Sequence, residues 1–191
     1  MIRTNTAFLD FLIKNSHLFP ADSIQEKIVE SGCLIITERS NVQKVSIIKS
    51  GLAKCYLSKD DGTDFILEFF GPGAVVGEIE MLFDDLSFAA VEAMNTLTVL
   101  QIPRDRFKEL LTQNATFNSH VIRLLASKVK YKAIRFSFNQ THTLEQNLAK
   151  MLQEMPELLD VIAKKDLVNY LGVTERSLNR TLKKLKDKGS I

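Results

Sequence analysis

The stretch GPGAVVGEIEMLFDDLSFAAVEA, Gly71 to Ala93, decides how this chain is read. A Gly-Pro-Gly turn, a short Gly-Glu-Ile-Glu start and small residues entering a strand have the look of a loop that holds a sugar phosphate. Yet no Arg or Lys occurs from Glu80 to Pro103. A buried phosphate monoanion without a cation loses its charge-assisted bonds and bears an uncompensated desolvation cost of several kcal/mol.

Around this loop, from Gly32 to Ile102, lie short β-branched and apolar runs such as CLIITE, VSIIKS, LAKCYLS, FILEFF and TLTVLQI, cut by Ser50-Gly51, Asp60-Asp61-Gly62 and Gly71-Pro72-Gly73. Such runs read as strands. Asp61-Gly62 between two of them predicts a tight hairpin turn, because Gly adopts positive φ without a Cβ clash. The region reads as an antiparallel roll or barrel. Before it, Phe8, Leu9, Leu12 and Ile13 stand at helical spacing with Thr4, Asn5 or Thr6 as the cap.

Pro103 opens a helical pattern that runs to about Phe136. Phe117, Val121, Leu124 and Tyr131 follow one apolar line, and Ile122, Leu125, Val129 and Phe136 a neighbouring one. A helix apolar over so wide an arc is buried on two sides, against the roll and against another helix; a core helix within one subunit is the alternative. FNQTH, Phe138 to His142, suits a hinge, and Leu144, Leu148, Met151 and Leu152 begin a further helix before Pro156.

KKDLVNYLGVTERSLNRTLKKLKDKG, Lys164 to Gly189, carries the most specific motif. Leu167 and Leu171 make one apolar face, Gly172 breaks the helix, and Thr174 caps a second helix whose Leu178, Leu182 and Leu185 turn inward. Two short helices around a Gly-containing turn are the helix-turn-helix arrangement, whose second helix enters the DNA major groove. The candidates for base contacts are Glu175, Arg176, Ser177 and Arg180, and those for phosphates are Thr174, Asn179, Lys183 and Lys184. The alternative is a solvated basic helix with no such role. Charge favours the first: residues 164–191 hold 8 Lys/Arg against 3 Asp/Glu, or +5, so a chain of net +2 has −3 left for residues 1–163.

Cys33 and Cys55 are too few for a disulfide framework, although neighbouring strands would allow a redox pair. AFLDFLI is broken by Asp10 and no 18-residue apolar run occurs, so the sequence predicts a soluble, cytoplasmic protein with no membrane partner. His17, His120 and His142 are scattered; no metal site is expected, and an enzyme on a cupin-type barrel, which needs clustered ligands, is disfavoured.

The order of these parts resembles the CRP/FNR family of bacterial transcription regulators over nearly the whole chain. The resemblance implies an α+β architecture: a jelly-roll-like antiparallel β-roll of the cyclic-nucleotide-binding type over 1–102, a long dimerisation helix over 103–137, and a winged helix-turn-helix domain over 138–191. Gly77 and Glu78 match the start of the family's phosphate cassette, and Glu78 its ribose-binding residue. Nucleotide-binding members end that cassette with an Arg and a small hydroxyl residue; here the equivalent stretch is Ser87, Phe88, Ala89, Ala90. An effector pocket would hold Gly77, Glu78, Ile79, Ser87, Phe88 and Lys128, without cyclic AMP and with no other cofactor. No cysteine cluster for an iron–sulfur sensor occurs near the N-terminus. The dimer interface would hold Phe117, Val121, Leu124, Leu125 and Val129. Partners so implied are double-stranded DNA, a second copy and RNA polymerase. The wing expected after the recognition helix finds no sequence before Ile191. The competing function is a sensor or adaptor with weak or no DNA binding, using the roll to bind a ligand or a protein.

Overall fold

The computed structural model describes residues 2–19 and 23–189, which divide into two compact units, Ile2–Leu125 and the residues from Ala126 onward. In the first unit, β1 (Ile2–Arg3), β3 (Leu34–Ile36), β5 (Ala53–Ser58), β6 (Asp64–Phe70) and β8 (Ala90–Ala93) form one sheet in the order β1-β6-β5-β8-β3. A second sheet runs β2 (Gln25–Val29), β9 (Leu97–Pro103), β4 (Lys44–Ser50) and β7 (Val75–Val76). All pairings are antiparallel except β1 with β6, where Ile2 lies opposite Phe69.

The apolar runs fill one shared core. Val45, Ile47 and Ile48 of β4, Ile66 of β6 and Leu97, Val99 and Ile102 of β9 are fully buried. Ser50-Gly51 carries the chain from one sheet to the other. The connection at Asp61-Gly62 does join a hairpin, β5 to β6, but it is wider than the expected tight turn: Lys59 and Thr63 close it through Lys59 N–H to Thr63 O, 2.9 Å. Only Gly62 has positive φ there, and Asp61 holds the Thr63 N–H and hydroxyl through its carboxylate. One local side-chain acceptor thus replaces the second left-handed residue that a two-residue turn would need.

Helix α1 (Thr6–Lys14) is capped by Asn5, whose Oδ1 accepts from Phe8 N–H, and buries Phe8, Leu9 and Leu12. Its cap lies against the Gly-Pro-Gly turn: Asn5 N–H donates to Pro72 O at 3.0 Å, and a Cβ on Gly73 would collide with the Asn5 carbonyl. Gly73 also has φ +80°. Gly73→Ala is expected to cost about 2 kcal/mol or more, from the left-handed backbone and the collision together. Gly62→Ala, with φ +78° but no neighbour within 4 Å, should lose only about 1 kcal/mol. Equal shifts in thermal melting for the two would refute the close-approach argument.

Cys33 is exposed and Cys55 buried, and neither is in a disulfide. Leu34, next to Cys33, pairs with Glu92, and Cys55 pairs with Val91, so β8 stands between the two strands. Two strand spacings, roughly 9.6 Å, exceed the reach of a disulfide. The redox pair is therefore not formed.

The single long helix expected from Pro103 is two helices. α3 (Arg104–Gln113) ends at Asn114, whose backbone is extended at φ −118°, ψ 97°. The Asn114 side chain then accepts from Phe117 N–H at 2.9 Å and starts α4 (Ala115–Thr141). An Asn that caps so well ends one helix and begins the next, which periodicity alone does not reveal. At the other end FNQTH is helical almost throughout, not a hinge. Phe138 and His142 stack one turn apart at 3.7 Å and Thr141 bonds back to Ser137 O, so the helix is carried to Thr141.

In the second unit, the capping box of Thr143 and Gln146 opens α5 (Leu144–Glu154). After α6 (Leu158–Val161) come α7 (Lys164–Leu171) and α8 (Glu175–Asp187), joined by Gly172 at φ 66°. The core of this unit contains Leu148, Leu158, Ile162, Leu167, Leu178 and Leu185.

Candidate nucleic-acid interface and the glycine-rich loop

Thr174 caps α8: its hydroxyl oxygen accepts from Ser177 N–H at 3.2 Å and donates to Ser177 Oγ at 3.0 Å. The cap thereby uses the Thr174 hydroxyl. Leu178, Thr181, Leu182 and Leu185 form the buried stripe. With about 100° between successive helical residues, Arg176, Arg180 and Lys183 fall together on the opposite side, with Asn179 at its edge. All four are exposed. No ion pair or side-chain hydrogen bond engages them among the described residues. Glu175 and Ser177 each stand about 100° from Arg176, Ser177 on the half-buried flank. They flank the arginine face.

Lys184 is likewise turned aside. Its ammonium lies 2.5 Å from Glu145 in the first turn of α5, and Lys188 reaches the other oxygen of that carboxylate at 2.5 Å. Bonds from Lys184 and then Lys188 hold the Glu145 carboxyl below its ordinary range. Any stabilisation from this pairing is present above the unfolded pKa of Glu145 and is lost as pH falls through the depressed folded value. As an exposed pair it is small and salt-screened. Among the described residues Lys184 is thus already paired with a carboxylate, unlike Lys183.

The glycine-rich loop is built for backbone geometry. Gly77, at φ +89°, would place a Cβ 2.9 Å from Lys44 O, and it caps α2 (Glu78–Phe83). Glu78 and Glu80 are both buried and add acid, not base, to this neighbourhood. Ser87 is buried and fully engaged: Oγ donates to Thr37 O at 2.5 Å and accepts from Ser40 N–H at 3.1 Å. Its backbone bonds Ser40 O and Arg39 N–H. Phe88, a candidate of the effector pocket, is 49% exposed. The cations that follow the loop, Arg104 and Lys108, are taken up by Asp84 on the surface. Ile79 is half-buried beside Gly77 and Glu78, whereas Lys128, buried and engaged, belongs to the second unit.

The five interface candidates on α4 divide. Phe117, Val121 and Leu124 are 0–2% exposed within the core of the first unit. Phe117 sits in an aromatic cluster with Phe8, Phe19 and Phe107 at ring separations of 5.6–6.2 Å. Leu125 leans on the same core, and His120, stacked on Phe11 at 4.2 Å, serves it too. Within one chain these residues pack on the core of the first unit. Val129 is 70% exposed, with Ile122 at 61% and Phe136 at 68%. Exposed Ala126 and Ala133 fall between them, giving the 4-3 spacing of a coiled-coil seam. Ile122, Val129 and Phe136 are on the second apolar line read from the sequence; Ala126 and Ala133 complete the row.

Residues 26–114 match the family described as the cyclic nucleotide-binding domain. Regulatory protein HlyX of Actinobacillus pleuropneumoniae is 24% identical over 96% of this chain and 81% of its own length. The structure of FixK2 from Bradyrhizobium japonicum superposes with a TM-score of 0.72 at 20% identity, covering 87% of this chain and 86% of that one. A transcriptional regulator of the CRP/FNR family from Eubacterium rectale gives 0.72 at 17% identity, over 97% and 85%. The chain is thus similar over most of its length to regulators of the CRP/FNR type. Its glycine-rich loop and its α7–turn–α8 unit stand where the resemblance placed the cassette and the helix-turn-helix, and no Arg or Lys occurs from Glu80 to Pro103. Among the described residues no helix is long and apolar enough to cross a membrane.

Proposed function

We propose that the chain is a DNA-binding transcription regulator that acts as a parallel homodimer and presents two copies of α8 to a pseudo-palindromic operator. The observation that carries this reading is the exposed face of Arg176, Arg180 and Lys183 on a capped helix that follows the Gly172 turn. Arg has the fork geometry to bind guanine and Lys the point charge to meet phosphates. The relatives are regulators, not enzymes, which supports the same class. The seam Ile122–Ala126–Val129–Ala133–Phe136 supports dimerisation through α4, because an exposed 4-3 apolar row needs a partner helix. Half-sites then lie about one DNA turn, roughly 34 Å, apart. RNA polymerase is proposed as a further partner.

Cyclic AMP is not the effector in this proposal. Ser87, whose one O–H donor is spent on Thr37 O, the buried Glu78 and Glu80 and the absence of Arg or Lys between Glu80 and Pro103 support that reading. Calorimetric titration with cyclic AMP or cyclic GMP is expected to give no micromolar binding; micromolar affinity would refute it. The regulator reading itself is tested by fluorescence anisotropy on duplex DNA across a salt series. Affinity falling steeply with salt is expected, and no binding at low salt would leave the adaptor reading in its place.

A further inference from the structure

We propose that the second unit carries a binding site for a planar aromatic carboxylate, set against the turn of the helix-turn-helix. A cavity of about 480 Å³ opens between the end of α4, α5 and the C-terminal end of α7. That is within the range of small-molecule sites, roughly 300–1,000 Å³. Phe138, Leu144, Met151, Leu171 and Val173 give it apolar walls.

Its polar lining selects among ligands. The Arg135 guanidinium lies 3.9 Å over the Tyr170 ring, and the His142 ring lies 3.7 Å from Phe138 at an interplanar angle of 20°. Both flat groups line the cavity and are already supported from behind by an aromatic ring. Each therefore receives a ligand ring on its other face with little further ordering cost. Lys150 Nζ lies 4.1 Å from the centre of the Phe138 ring, held over an apolar surface where a carboxylate is its natural counter-ion. The carboxylate on the lining is Glu154, 3.9 Å from Lys150 and half-exposed. Arg135 and Lys150 against Glu154 leave the lining net positive. An aliphatic acid would forgo the stacking faces, and a neutral arene would forgo Lys150.

The site's placement suggests a use. Tyr170, Leu171 and Val173 bracket Gly172, the left-handed residue that sets the angle between α7 and α8. A ligand seated on Leu171 and Val173 touches the turn that aims the arginine face. It biases that face if its affinity differs between two settings of the turn. This last consequence rests on the DNA-binding reading; occupancy of the cavity does not.

The test uses the full chain without DNA and three probes: indole-3-carboxylate, indole-3-carboxamide and cyclohexanecarboxylate. Calorimetry is expected to show one saturable site per chain for the first and weaker binding for the other two, about tenfold for the loss of either the charge or the ring. Lys150→Met should weaken indole-3-carboxylate to the level of the carboxamide, and Met151→Trp, which fills the cavity, should remove binding. Phe88→Ala, on the surface of the first unit, should leave it unchanged. If Met151→Trp melts early, amide chemical-shift mapping of the wild type decides, with shifts expected at residues 131–173. Absent saturation, equal binding of all three probes, indifference to Lys150→Met, or shifts confined to the first unit would each overturn the proposal. Loss of DNA binding with the indole site intact would instead count against the regulator reading alone.

Discussion

Val129→Glu is expected to convert the protein from a dimer to a monomer in sedimentation at micromolar concentration, while its circular dichroism stays that of the wild type. The side chain is 70% exposed in one chain, so a carboxylate there meets water in the monomer. In the proposed seam two such carboxylates would face each other at an apolar contact and be partly desolvated, a penalty on the order of 3 kcal/mol even with Lys130 and Lys132 at its border. That weakens association by at least about two orders of magnitude. Val121→Glu separates the two faces of the same helix: Val121 is 2% exposed in the core of the first unit, and the charge should lower the melting temperature of that unit. A Val129→Glu protein that still sediments as a dimer would remove α4 as the seam.

The second large effect concerns sequence reading. Arg180→Ala is expected to cost about 1–3 kcal/mol on the specific operator and little on random duplex, because a bidentate guanine contact exists only on the right base pair. Lys183→Ala should weaken both duplexes alike and flatten the salt dependence by about one counter-ion. Lys184→Ala should flatten it less, because Glu145 already competes for that ammonium at 2.5 Å. Equal losses on specific and random DNA for Arg180→Ala would make it a backbone contact and end the base-reading assignment.

The parts of this architecture that rest on local chemistry were legible in the sequence. Asn5, Thr174 and Gly172 mark helix ends because a side-chain acceptor or a missing Cβ acts within a few residues. The inward leucines of α8 followed from helical period alone. What stayed hidden depends on distant partners. Phe117 and Val129 are both apolar and both on α4, and only the aromatic cluster from α1 and α3 determines that the first is core. Ser87 reads as a candidate ligand until Thr37 and Ser40, far back in the chain, are seen to use its hydroxyl. Lys184 reads as a phosphate ligand until Glu145 arrives from α5. The line of Ile122, Val129 and Phe136 was legible from helical period, whereas Ala126 and Ala133, which complete its 4-3 spacing, give a weaker apolar signal.

The position of β9 bears on how the chain is born. β9 lies between β2 and β4, pairing Gln101 with both Gln25 and Ser46. During synthesis β2 and β4 leave the ribosome long before β9 exists, so each waits with an open edge of unpaired amides and carbonyls. The roll closes only when residues 97–103 have emerged, a non-local event that slows folding. Lys27 and Lys49, on these two waiting strands, bring charge that discourages premature edge-to-edge association. A nascent chain stalled before Leu97 would hold both edges exposed and be a client for chaperones.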